Sequence, residues 1–305
     1  MSNIIALVWD FDKTLINGYM EDPIFEHYNV DSKKFWREVN DLPRKYQEEQ
    51  NVQVNKDTIY LNHFINYAKS GKFKDLNNEK LKSFGKELNF YSGVFELFEK
   101  TKNNLLINSC YKEHNIKVEH YIVSTGLKKV IEGSKIMQYV DGVWGCEFIE
   151  AKDNDGKAHI SEIGYTIDNT SKTRALFEIN KGVNRQDINV EVNTKIPENM
   201  RRVHFINMVY VADGPSDIPA FSVVNKNGGS TFAVYPKGDK KAMKQVEMLR
   251  EEGRIKMYAE ANYSEGTTAD MWICNTIINI ADKIVETEKD QLSKVTGKGI
   301  PQHLI

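Results

Sequence analysis

Ile4-Ile5-Ala6-Leu7-Val8-Trp9-Asp10-Phe11-Asp12-Lys13-Thr14-Leu15 is the stretch from which the rest of the chain can be read. Its first half is apolar and rich in β-branched residues, the pattern of a strand buried on both faces inside a parallel sheet. Side chains two apart in a strand share a face, so Asp10 and Asp12 point the same way where the strand stops. Open α/β sheets bind ligands at the carboxyl ends of their strands. Two carboxylates held there repel each other, and a divalent cation or a shared proton relieves the repulsion. Acidic residues after strands also serve as turn formers and helix caps, so the pair needs support from elsewhere in the chain.

The whole chain has 305 residues, 40% of them hydrophobic, enough for a substantial core in one large domain or two smaller ones. Lys+Arg 41 against Asp+Glu 43 leaves a net charge of -2, which argues against a nucleic-acid-binding surface. The three cysteines, Cys110, Cys146 and Cys274, are far apart and odd in number. A disulfide framework or structural zinc site is not expected, and a reducing cytoplasm is the expected home. No signal-type apolar stretch and no membrane span is read from the sequence.

After Leu15 the strand pattern is lost for about 75 residues, by the spacing of apolar positions. Residues 31–50 are polar with scattered aromatics and an interruption at Pro43. Residues 57–70 and 77–88 carry helical spacing, the first through Leu61, Phe64, Ile65 and Ala68, the second through Leu81, Phe84 and Leu88. This reads as a helical insertion hung on the first strand. Ser92, a plausible N-cap, then opens a helix through Val94, Leu97, Phe98 and Leu105 toward Tyr111. A second strand, 118–123, ends in Ser124-Thr125-Gly126, and a short helix follows over 127–132. Residues 138–168 read as hairpin, with a turn at Asp153-Asn154-Asp155-Gly156. A helix over 171–181 and a loop over 183–202 lead to a third strand, 205–212, which runs into Asp213-Gly214-Pro215-Ser216-Asp217. Helix 218–225, strand 231–235, helix 240–252, strand 255–259 and helix 268–289 follow, with the last dozen residues expected as a tail. Strands alternating with helices imply an α/β fold, a three-layer Rossmann-like parallel sheet covered on both faces.

Three apolar strands thus end in polar clusters: Asp10/Asp12/Thr14, Ser124/Thr125 and Asp213/Asp217. Lys172 opens a helix between the last two. In this order the chain resembles the haloacid dehalogenase (HAD) superfamily of phosphatases. Its first motif is D-x-D-x-T, here Asp10, Asp12 and Thr14. The second is a strand-terminal Ser or Thr, here Ser124. The third is a lysine, here Lys172, with Lys157, Lys181 and Lys195 as rivals by position. The fourth is D-x-x-x-D, here Asp213 and Asp217. Gly93-Val94 before a helix resembles the lead-in to the second motif in phosphoserine-phosphatase-like members.

The resemblance implies an HAD-like catalytic core, residues 1–16 and 91–305, with a helical cap of the first type over 17–90. It implies Mg²⁺ as cofactor, held by Asp10, the backbone carbonyl of Asp12, Asp213 and, directly or through water, Asp217. It implies Asp10 as nucleophile and Asp12 as general acid and base. Thr14, Ser124, Thr125, Gly126 and Lys172 would hold phosphate, with Lys172 neutralising its charge. Simpler roles compete: Thr14 can brace the loop, Ser124 can cap a helix and Asp217 can cap helix 218–225. Lys13 is given no role. Asp12 is absent from relatives that displace halide from carbon, so its presence argues for phosphoryl chemistry. The expected activity is hydrolysis of a small soluble phosphorylated metabolite. A phosphotransferase or phosphomutase with the same intermediate, and a silent metal- and phosphate-binding regulator, are the alternatives. Glu21, His27, Arg37 and Arg44 are the candidate readers of the leaving group in the cap, though residues of these types are more often ordinary solvated surface residues. Neither nucleic acid nor membrane is an expected partner.

Overall fold

Ile4–Val8 forms the middle of a seven-stranded sheet. In the computed structural model, which describes residues 2–183 and 190–296, β1 (Ile4–Trp9) is buried from Ile5 to Trp9. The other strands are β2 (Lys117–Leu127), β3 (Val140–Lys152), β4 (Ala158–Tyr165), β5 (Met208–Ala212), β6 (Ser230–Tyr235) and β7 (Met257–Glu260). Their order is β4-β3-β2-β1-β5-β6-β7. All neighbours are parallel except the β3–β4 hairpin. Trp9 pairs with Ile122 on one side and with Val211 on the other. The chain builds outward from β1 through β2 to β4, then crosses back to β5. That reversal opens a crevice between β1 and β5, where such sheets bind ligands.

Helices cover both faces. Those that follow Gly93 are α5 (Val94–Glu99), α6 (Ser109–Glu113), α7 (Lys128–Glu132), α8 (Lys172–Lys181), α9 (Ile218–Lys226), α10 (Lys240–Glu251) and α11 (Thr268–Thr296). Among the described residues no helix is long and apolar enough to cross a membrane.

Residues 17–90 carry α1 (Asp22–His27), α2 (Ser32–Gln50), α3 (Ile59–Lys69) and α4 (Asn78–Phe84) and no strand of the sheet. Their core is aromatic: Phe25 lies 4.9 Å from Phe35, Phe35 5.2 Å from Phe64, and Phe64 5.0 Å from Phe73. Burying each ring is worth roughly 1.5–3 kcal/mol, which holds together a segment with no sheet of its own. The segment is fastened to the core at several points. A Cβ on Gly133 would stand 1.7 Å from the Lys82 carbonyl oxygen, and one on Gly85 2.2 Å from that of Val130, so only glycines let α4 approach α7 this closely. On the hairpin, the Ile160 amide donates to the Leu76 carbonyl at 2.9 Å and the Asn78 side chain donates to the Phe148 carbonyl at 3.2 Å. The hairpin over 138–168 therefore both extends the sheet and carries the helical segment.

Four local readings change. Ser32–Gln50 is one helix, α2, with Pro43 inside it; Asp31 caps its start, and buried Phe35, Val39 and Leu42 outweigh the hydrogen bond that Pro43 cannot make. The helix after Ser92 starts from Gly93, at φ 79, and Ser92 makes no cap; its carbonyl accepts from the Tyr263 amide. That helix also breaks into α5, a π-helical turn over Lys100–Asn104, and α6. Thr101 bonds back to the Leu97 carbonyl and to His120, a substitution of partners that distorts helices. Finally α11 runs on to Thr296, and the remainder of the expected tail lies outside the described residues, as do residues 184–189 of the loop over 183–202.

Candidate active site

The end of β1 places Asp10 beside the crevice, with its amide donating to the Val211 carbonyl at 2.9 Å. Lys172, first residue of α8 and 1% exposed, donates to Asp10 Oδ1 at 2.6 Å and to Asp217 Oδ1 at 2.7 Å. Asp217 starts α9 by position but makes no side-chain cap; its carboxylate instead also accepts from Tyr210 at 2.6 Å and Ser216 at 2.8 Å. Asp10, Asp213 and Asp217 each bring a carboxylate oxygen within 4.8 Å of the others. Lys181 points elsewhere, to the carbonyls of Val192 and Thr194.

The electrostatics follow from burial. Asp10 is pushed up to about 6 by desolvation, opposed by Lys172 and reinforced by Asp217. Asp213 is pushed up to about 8 by desolvation and by the charges of Asp10 and Asp217. Lys172 would lose its proton more readily when buried, but Asp10 and Asp217 more than reverse this and hold it charged. Three crowded carboxyls share one ammonium, so when all three ionise the cluster needs a further cation. An all-oxygen donor set with spare negative charge suits a hard divalent cation such as Mg²⁺.

Asp12 is half-buried at the outer side. Its Oδ1 accepts from the Met20 amide at 2.8 Å. Desolvation, then Glu21, then Asp10 raise its carboxyl well above the usual range. Glu21, 3% exposed at the start of α1, is itself pushed up to about 7 by burial. The other three cap candidates are exposed. Arg37 donates to the Lys33 carbonyl, Arg44 pairs with Asp41 at 3.7 Å, and His27 packs on Phe84. The structure brings only Glu21 to the site.

Thr14 and Ser124-Thr125-Gly126 stand in local settings other than those expected. Thr14 is fully buried; its hydroxyl donates to Asp10 Oδ2 at 3.1 Å and its carbonyl accepts from Tyr263 at 2.7 Å. It braces Asp10 and presents no open hydroxyl. Ser124-Thr125-Gly126 does not end a strand at a helix N-terminus. Strand β2 continues to Leu127, and these residues form a bulge between the pairs Val123–Trp144 and Leu127–Cys146. Within it the Gly126 amide donates to Ser124 Oγ at 3.0 Å, and the Thr125 carbonyl accepts from Tyr60 of α3 at 2.8 Å. The bulge leans on Asp12: a Cβ on Gly126 would meet Met20 Cε at 2.3 Å and Asp12 Oδ2 at 3.3 Å.

Tyr210, Met20 and Tyr263 were not found by reading the sequence. Tyr210 carried one signal, a hydroxyl in the middle of a fully buried strand, where it needs a partner. Met20 and Tyr263 carried none.

No protein-family model matches the chain. Among solved structures it resembles a HAD family hydrolase from Salmonella enterica subsp. enterica serovar Typhi, with a TM-score of 0.51 and 13% identity over 85% of this chain and 67% of that one. A phosphoserine phosphatase in apo form aligns with a TM-score of 0.48 and 17% identity, over 83% of this chain and 92% of that one. The fold is that of the HAD hydrolases. In sequence the chain is 40% identical over 288 residues to an uncharacterized protein of Borreliella burgdorferi, spanning 90% of this chain and 97% of its relative, and it belongs to that protein's family.

Proposed function

We propose that the chain is a Mg²⁺-dependent phosphomonoesterase for a small phosphorylated metabolite, acting through an aspartyl-phosphate on Asp10. The observation that carries this reading is the Asp10–Lys172–Asp217 ion cluster, with Asp213, at the β1–β5 crevice. Asp10, Asp213, Asp217 and the Asp12 backbone carbonyl would hold the cation. When bound, Mg²⁺ supplies positive charge that offsets the phosphoryl oxygens and the nucleophile.

Asp10, oriented by Thr14, attacks phosphorus as the bond to the ester oxygen breaks. Asp12, whose raised pKa keeps a proton available, gives that proton to the leaving oxygen. In the second step Asp12 takes a proton from water, the water oxygen bonds to phosphorus, and the bond to Asp10 breaks to release phosphate. Lys172 neutralises phosphoryl charge through both steps. The bulge Ser124–Gly126 is the phosphate seat in this reading, with the Ser124 hydroxyl and the Thr125 amide as donors. Residues 17–90 act as the cap; from it the Met20 amide donates to the acid and the charge of Glu21 helps to hold the acid's proton. The fastening of this segment to α7 and to the β3–β4 hairpin supports a site shielded from water.

The test is phosphate release from a panel of metabolite phosphates with Mg²⁺, comparing wild type with Asp10→Asn. The variant should lose turnover by about 10³-fold or more, because an amide in place of the carboxylate is not a nucleophile. Equal activity in the two proteins would remove the nucleophile assignment. Trapping of beryllofluoride on Asp10 is the structural counterpart.

A further inference from the structure

Lys13 has no part in the chemistry above, yet its backbone is strained. It sits between Asp12 and Thr14 at φ 55, in the left-handed region. A residue with a Cβ adopts this at a cost of roughly 1–2 kcal/mol, which glycine avoids. What the lysine adds is a cation at the outer edge of the site. Its side chain is half-buried, and the ammonium lies 4.2 Å from the centroid of the Tyr19 ring and donates to the Tyr19 hydroxyl. Tyr19 is 43% exposed, so the pair stands at the mouth. An ammonium has three donors, and Tyr19 is the one hydrogen-bond acceptor recorded for it among the described residues.

The two lysines of the site therefore differ. Lys172 is buried between Asp10 and Asp217, on the side of the nucleophile. Lys13 directly follows Asp12, the group that would protonate the leaving oxygen, and its partner Tyr19 directly precedes Met20, whose amide donates to Asp12; the Lys13 ammonium has donors to spare. We propose that Lys13, with the Tyr19 hydroxyl, determines specificity for the leaving group and selects phosphomonoesters whose leaving group carries a second anion, a carboxylate or a further phosphate. This rests on the phosphomonoesterase reading. If Lys13 served only as a counter-ion to Asp12 and Asp213, every ester would suffer alike from its loss.

The test compares phenyl phosphate with 4-carboxyphenyl phosphate, which differ by one carboxylate on the leaving group. With Mg²⁺, Lys13→Met should lower kcat/KM for the carboxylated ester by about tenfold more than for phenyl phosphate, the scale of one charge-assisted hydrogen bond. Equal losses, or none, overturn the proposal. Lys13→Gly, which also relieves the left-handed strain, repeats the comparison should the methionine variant fold poorly. Titration calorimetry of both esters into Asp10→Asn, with and without Lys13→Met, reads affinity without turnover. A selective loss of affinity for the carboxylated ester alongside an inactive wild type would sink the phosphomonoesterase reading and keep the anion site. Unchanged relative affinities would overturn the Lys13 proposal whatever the activity.

Discussion

The inner and outer parts of the strand-end cluster carry similar side chains in different company. On the inner side Asp10 and Asp217 close on the Lys172 ammonium, and Tyr210 and Ser216 complete the shell of Asp217. On the outer side Asp12 and Glu21 lie close together with no ammonium between them; Asp12 has the Met20 amide, and Lys13 stands off at the mouth. The inner side has a fixed cation against Asp10 and Asp217, with Asp213 beside them pushed up to about 8, and the outer side has retained protons alone. A carboxylate held on a buried ammonium suits a nucleophile beside a metal seat. An outer carboxyl that keeps its proton suits an acid.

The largest expected effect comes from removing the inner cation. Lys172→Met leaves Asp10 and Asp217 facing each other without compensation, which should cost about 3–5 kcal/mol in metal-free protein and abolish turnover. Urea unfolding with EDTA measures it, and Mg²⁺ should restore part of the loss. A change under about 1 kcal/mol would mean that the inner side is not held by this ammonium.

The outer side is tested by pH. Glu21 ionises near 4.5 in the unfolded chain and near 7 in the folded one. The folded state therefore binds the proton more tightly, so this contribution is complete below pH 4.5, shrinks as pH rises, and is gone above about 7. Metal-free Glu21→Gln should exceed wild type in stability at pH 8, by roughly 3 kcal/mol, and the gap should close toward pH 5. A gap independent of pH would break the contrast between the two sides.

Smaller effects sharpen it. Tyr210→Phe removes one of the hydrogen bonds to Asp217 and should cost about 1 kcal/mol, read by the same unfolding curves. Gly126→Ala should cost less than about 1 kcal/mol, because the end of the Met20 side chain can swing away from the new methyl group. It should nevertheless lower kcat/KM through displacement at Asp12, and Met20→Ala in the same protein should recover most of that loss. Additive losses in the double variant would show that Met20 does not couple Gly126 to Asp12.

Local pattern carried much of this fold. The strand at Ile4–Val8, the hairpin turn at Asp153–Gly156 and the helices starting near 172, 218, 240 and 268 all follow from apolar spacing and turn residues, because one period per element suffices to assign them. Pattern failed where a long-range partner overrode a local rule. Pro43 did not stop α2 because three buried side chains anchor it. Thr101 broke the helix after Gly93 because His120 and two carbonyls compete for its hydroxyl. The stretch at Ser124 continued as strand because Leu127 pairs with Cys146.

The site divides in the same way. Asp10, Asp12, Asp213, Asp217 and Lys172 could be named as candidates from residue type and position, since each stands where an apolar element begins or ends. That Lys172 spans Asp10 and Asp217, that Thr14 faces inward, that Glu21 alone of four cap candidates lies against Asp12, and that Lys13 holds a strained backbone at the mouth could not be read from the chain. These facts join residues up to 162 positions apart. They arise when the sheet order sets β1 between β2 and β5 and the hairpin fastens the helical segment over the strand ends. Solvent exclusion then fixes which carboxyls keep a charge, and that depends on burial and neighbours that one-dimensional spacing does not contain.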